Sequence, residues 1–101
     1  MAKHFPSDID LIETHRAGKK DAPSGTALLL AQTTPAKIHS VRSGEILGEH
    51  TLIFNNAFER LTLSHEVHSR EAFARGALAA AHFLIGKQPG LYSMDNLFEG
   101  L

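Results

Sequence analysis

His15, Arg16, Lys19 and Lys20 stand just ahead of a turn, Asp21-Ala22-Pro23-Ser24-Gly25-Thr26, that runs directly into the apolar stretch Ala27-Leu28-Leu29-Leu30-Ala31. The first amides of a helix have no partners inside it and lie at the positive end of its dipole. Ser24, Gly25 and Thr26 can therefore present bare N–H groups to a carboxylate or phosphate. Gly25 lets backbone and ligand approach closely. His15 adds an imidazole that can carry a proton near neutral pH, and the neighbouring cations suit a small, doubly charged acid. The same residues also describe an ordinary helix start behind a solvated basic loop, with Ser24 or Thr26 as N-cap and Pro23 beside it. The residue types alone leave both readings open.

The elements that must position these groups follow from periodicity. Ile9 to Thr14 reads as a strand delivering His15 at its end, and Thr26 to Gln32 as a short helix stopped by Thr33-Thr34-Pro35. Three more strands are expected at Lys37 to Arg42, Glu49 to Phe54 and Glu59 to Ser69, with turns at Ser43-Gly44 and Asn55-Asn56. Leu61, Leu63, His65 and Val67 alternate with Arg60, Thr62, Ser64 and Glu66, which gives one mainly apolar face. A longer helix from about Arg70 to Ile85 carries Phe73, Ala77, Ala80 and Leu84 on one stripe, and Gly86 stops it. The expectation is an α+β fold: about four strands in a mixed or antiparallel sheet, with two main helices on one face. Ala77 to Ile85 is apolar nearly all round, so part of that helix is expected to need covering by a partner or a second copy.

Composition narrows the function classes. At 101 residues the chain suffices for one domain and cannot also accommodate a dinucleotide-binding unit; no G-x-G-x-x-G follows a strand. A net charge of -1 gives no footprint for nucleic acid. Cysteine is absent, so no disulfide or thiolate site exists. Met1 to Pro6 lacks the apolar core of a signal peptide and no run approaches membrane-spanning length, so a cytoplasmic location is the expectation. Among the seven histidines, His65 and His68 point to opposite faces of a strand, while His4, His39 and His50 lie on separate elements. No metal is expected.

Glu13 to Ala27 resembles the signature of dihydrodipicolinate reductases, roughly E-x-H-H-x-x-K-x-D-A-P-S-G-T-A. Ser40 to His50 resembles that family's strand-turn-strand segment, and His65 to Met94 its C-terminal end. The resemblance covers nearly the whole chain. It implies the substrate-binding and oligomerisation domain, over residues 1–101, of an enzyme that passes hydride from NADPH or NADH to a cyclic dicarboxylate in lysine biosynthesis. It implies His15 as proton donor and Lys19 as a catalytic and carboxylate-holding group. It also implies Ser24, Gly25 and Thr26 as the grip on the other carboxylate, and Arg70 as a further arginine on the substrate side. Arg16 stands where most members carry a second His; a permanent guanidinium can pair with carboxylate but cannot titrate, which leaves proton transfer to His15. The family's nucleotide domain is absent from these residues, so no cofactor is expected to bind them tightly. Family members are tetramers built through the sheets of this half, which implies a homo-oligomer. The alternative is a non-catalytic oligomerisation domain whose anion site is idle.

Overall fold

Alternation along the first strand decides which side chains meet. The structure, a computed structural model, describes residues 8–99; His4 and the rest of Met1 to Pro6 lie outside them. Strand β1 (Asp8–His15) sends Ile9, Leu11, Glu13 and His15 to one face, as its two-residue period requires. It pairs in parallel with β2 (Lys37–Arg42) and antiparallel with β3 (Glu49–Asn55), which pairs antiparallel with β4 (Arg60–Glu66). The order is therefore β2-β1-β3-β4, a mixed four-stranded sheet. Register places Glu13 opposite His50 on one side and Ser40 on the other, and places His50 opposite His65.

The parallel β1–β2 pair requires a crossover, and helix α1 (Gly25–Thr33) supplies it. Ser24 caps that helix: its hydroxyl accepts from the Ala27 amide at 3.2 Å. At the far end the Thr34 amide closes on the Leu30 carbonyl, one residue before Pro35. Among the described residues, Ala27 of α1, Leu11 of β1 and Phe54 of β3 form the buried apolar core. Leu30 shares a cleft with His50, Leu52, Leu63 and His65, so α1 lies over the same sheet face as Glu13. Between β3 and β4 the Asn56 side chain accepts from the Phe58 and Glu59 amides, both at 2.9 Å, and fixes the expected turn.

Strand β4 ends at Glu66, short of the Ser69 read from the sequence. Its partner β3 begins at Glu49, which faces Glu66; beyond that pair the Val67 amide donates to the Gly48 carbonyl at 3.0 Å. The described residues group into two compact units that divide between His68 and Ser69. The second is helical. Helix α2 (Glu71–Leu84) starts where the Ser69 hydroxyl accepts from the Glu71 amide at 3.1 Å, and Gly86, at φ +80°, follows its end. Helix α3 (Met94–Glu99), absent from the sequence expectation, is started by Asn96, whose side chain accepts from the Ser93 amide at 2.8 Å. Within this unit Ala80, Phe83 and Leu84 of α2 line an apolar cleft with Tyr92, Met94 and Leu97. Among the described residues no helix is long and apolar enough to cross a membrane.

Candidate functional site

A carboxylate that no water reaches organises the site. Glu13, one residue pair before the end of β1, is fully buried. A buried charge is costly unless paired and hydrogen-bonded. Arg42, at the end of β2, supplies the pairing: Nη1 donates to Oε1, and Nη2 lies 3.4 Å from Oε2. The Ser24 amide donates to Oε2 at 2.9 Å, and Nδ1 of His15 lies 3.3 Å from the same oxygen. Burial by itself pushes the Glu13 carboxyl up. Arg42 and the hydrogen bonds from Ser24 outweigh it and hold the group at about 2, against an ordinary 4.5. Glu13 is therefore an anion throughout the physiological range, and it ties β1, β2 and the turn before α1 to one point.

His15 ends β1 as the sequence reading expects, with its side chain 13% exposed. Nδ1 is buried and lacks a hydrogen bond of good geometry, which leaves the Glu13 carboxylate as its electrostatic neighbour. On the other side of the ring is the backbone of Gly48, where a Cβ would come within 3.3 Å of Nε2; glycine permits that approach. His50 meets His15 edge to face, ring centroids 5.4 Å apart, and its Nε2 is 3.3 Å from the Ser24 hydroxyl. Burial first, then the nearby His15 and His65, hold the His50 imidazole below its ordinary 6.5, against the opposing pull of Glu13.

The turn itself is a narrower anion cradle than its composition indicates. Ser24 was expected among three free amides, but its N–H is donated to Glu13 and its hydroxyl caps α1, so the residue is buried and spent on the fold. Gly25 and Thr26 are exposed and keep the first amides of α1. A Cβ on Gly25 would meet nothing within 4 Å, so there is room beside that residue. Lys19 reaches back to the turn: Nζ is 2.9 Å from Asp21 Oδ1, and this contact holds the Asp21 carboxyl below its usual range. Arg42 Nη2 also donates to the Asp21 carbonyl at 2.6 Å. Arg16 is exposed and folds over Gly18, where a Cβ would lie 2.6 Å from its Nη1. Arg70 belongs to the helical unit, at the N-cap position of α2, with no side-chain capping bond.

Glu13, Arg42 and His50 escaped the sequence reading. Glu13 looked like a strand residue of the motif, and His50 was set apart on its own element; the missing signal is strand pairing, which puts Glu13 opposite His50. Glu13, His15 and His50 each bring a possible ligand atom within 4.8 Å of the others. The carboxylate of that group is committed to Arg42 and to the Ser24 amide, and a cation there would stand against a guanidinium. The donor set fits a hydrogen-bonded network better than a metal centre.

The chain is similar to known proteins over most of its length. The family model described as dihydrodipicolinate reductase, C-terminus, matches residues 1–98. The 4-hydroxy-tetrahydrodipicolinate reductase of Caldanaerobacter subterraneus subsp. tengcongensis is 46% identical, over 91% of this chain and 46% of its own length. That of Methanosarcina mazei is 40% identical, over 89% of this chain and 42% of its own. Among solved structures, a dipicolinate-bound dihydrodipicolinate reductase from Paenisporosarcina sp. TG-14 superposes with a TM-score of 0.78 at 25% identity, covering 94% of this chain and 46% of that one. The chain thus spans just under half the length of these relatives. It belongs to the dihydrodipicolinate reductase family, in the part its family model describes as the C-terminus.

Proposed function

We propose that the chain is the substrate-binding half of a 4-hydroxy-tetrahydrodipicolinate reductase, and that it holds a small cyclic dicarboxylate between the start of α1 and the end of β1. The observation that carries this reading is the meeting of an imidazole, His15, with the start of α1, through the shared contact of both with Glu13. One carboxylate of the substrate accepts from the Gly25 and Thr26 amides and the Thr26 hydroxyl, where the helix dipole favours an anion. Lys19 exchanges Asp21 for a substrate carboxylate, and Arg16 adds a second cation at the loop. Ser24 acts by holding the turn. Arg70 is assigned to the substrate side by its family position.

His15 delivers the proton in this proposal. Nδ1 faces Glu13, so Nε2 is the nitrogen that gives up its hydrogen to the reduced ring. NADPH or NADH supplies hydride in the complete enzyme; these residues contain no glycine-rich fingerprint for it, and their own work is binding, orientation and proton delivery. A homo-oligomer and a cytoplasmic location belong to the same reading. A relative bound to dipicolinate supports the choice of ligand.

Ligand-dependent melting tests the proposal directly. Pyridine-2,6-dicarboxylate should raise the melting temperature of the chain, because anything that binds the folded state stabilises it. Lys19→Ala should reduce that rise. An unchanged melting temperature with the unsubstituted chain at saturating dicarboxylate would end the reading.

A further inference from the structure

Glu13 is buried more completely than any group in the proposed reaction, yet it touches no solvent through which a substrate could arrive. Its two oxygens have different neighbours. Oε1 is held by Arg42, while Oε2 lies between the Ser24 amide at 2.9 Å and His15 Nδ1 at 3.3 Å. A purely structural ion pair would be complete with Arg42 and the turn. The third neighbour is a titratable ring whose buried nitrogen has no well-aligned hydrogen bond among the described residues.

We propose that Glu13 is the positioning residue of His15: its carboxylate keeps a proton on Nδ1 and thereby dedicates Nε2 to proton transfer. A neutral imidazole carries one N–H, and its place is set by what the other nitrogen meets. With an anion at Nδ1, that nitrogen is the donor. When the imidazolium gives its Nε2 proton away, the Nδ1 hydrogen stays against Glu13, and Nε2 is left with a free lone pair for the next proton. Arg42 keeps the carboxylate anionic, so the device does not switch itself off by taking up the proton. The same Oε2 holds the Ser24 amide, so a single oxygen aligns the proton donor with the turn that opens the anion cradle. This inference rests on the assignment of His15 as proton donor.

The test is the imidazole nitrogen spectrum of the full chain, labelled with nitrogen-15 and recorded well above the ordinary histidine range. His15 should show a protonated Nδ1 and an unprotonated Nε2. In Glu13→Gln, which keeps the shape and removes the charge, the ratio of the two tautomers should shift toward Nε2–H by about tenfold, since charge-assisted contacts are roughly twice as strong as neutral ones. Glu13→Gln/Arg42→Gln removes both charges, leaves no unpaired ion to unfold the chain, and should show the same shift. An Nε2–H tautomer in the unsubstituted chain, or an unchanged ratio in the folded double variant, overturns the proposal. Dicarboxylate melting is a separate readout: its failure with a correct tautomer sinks the substrate reading, and its success with the wrong tautomer sinks this one.

Discussion

The junction between β1 and α1 and the helical unit from Ser69 onward treat polar and apolar side chains in opposite ways. At the junction the buried residues include Glu13 and Ser24, and each finds its partners inside the protein. In the helical unit neither α2 nor α3 has a buried residue, and Phe73, Leu78, Ile85, Leu91 and Phe98 are exposed. A buried carboxylate held by several hydrogen bonds fixes one arrangement of backbone and side chains, which is what a proton-transfer site demands. An exposed apolar surface fixes nothing alone and gains its energy when another surface covers it. The two regions therefore contrast a fixed polar cluster with an uncovered apolar surface.

Substitutions in the two regions should differ sharply. Arg42→Met leaves the Glu13 carboxylate buried without its partner, and urea unfolding should show a loss of about 3–5 kcal/mol. In a complete reductase carrying these residues, His15→Gln should lower turnover by about a hundredfold or more with little change in melting, which separates chemistry from fold. Lys19→Ala should weaken dicarboxylate binding, read by calorimetry, by roughly tenfold, the scale of one hydrogen bond to a charged group. Ser24→Ala removes the α1 cap and should cost about 1 kcal/mol in the same urea titration. Phe73→Ser, on the exposed helical surface, should change monomer stability by less than about 0.5 kcal/mol. A large loss there, with Arg42→Met tolerated, would reverse the contrast.

Acidity sharpens the comparison. The Glu13 pKa is depressed on folding, so its contribution is fully present above 4.5, is lost as pH falls towards about 2, and is gone below that. The stability difference between the chain and Glu13→Gln should narrow through this window. For His50 the folded pKa is also lowered, so the unfolded chain takes up the proton first and stability falls as pH drops below 6.5. His50→Gln should flatten that shallower step.

Much of the framework was legible in advance. Alternation located the four strands, and the run from Thr26 to Gln32 followed by Pro35 located α1 to within a residue at each end. What escaped was whatever depends on a neighbour distant along the chain. Helix α3 is too short to show a period, and its start depends on a Ser93–Asn96 contact. The end of β4 was set by where β3 begins. His15, Lys19, Gly25 and Thr26 were singled out by type and spacing, whereas Ser24 was assigned to the ligand although Glu13 had already taken its amide.

The sequence by itself determined the order of elements, the place of an imidazole at a strand end, and a glycine at a helix start, because these follow from local periodicity and turn chemistry. Tertiary structure decided the rest. Arg42 lies 29 residues from Glu13 along the chain and His50 lies 26 from Ser24. Only the pairing of β1 with β2 and β3 brings them within hydrogen-bonding distance, in a setting dry enough for a carboxylate to govern a ring.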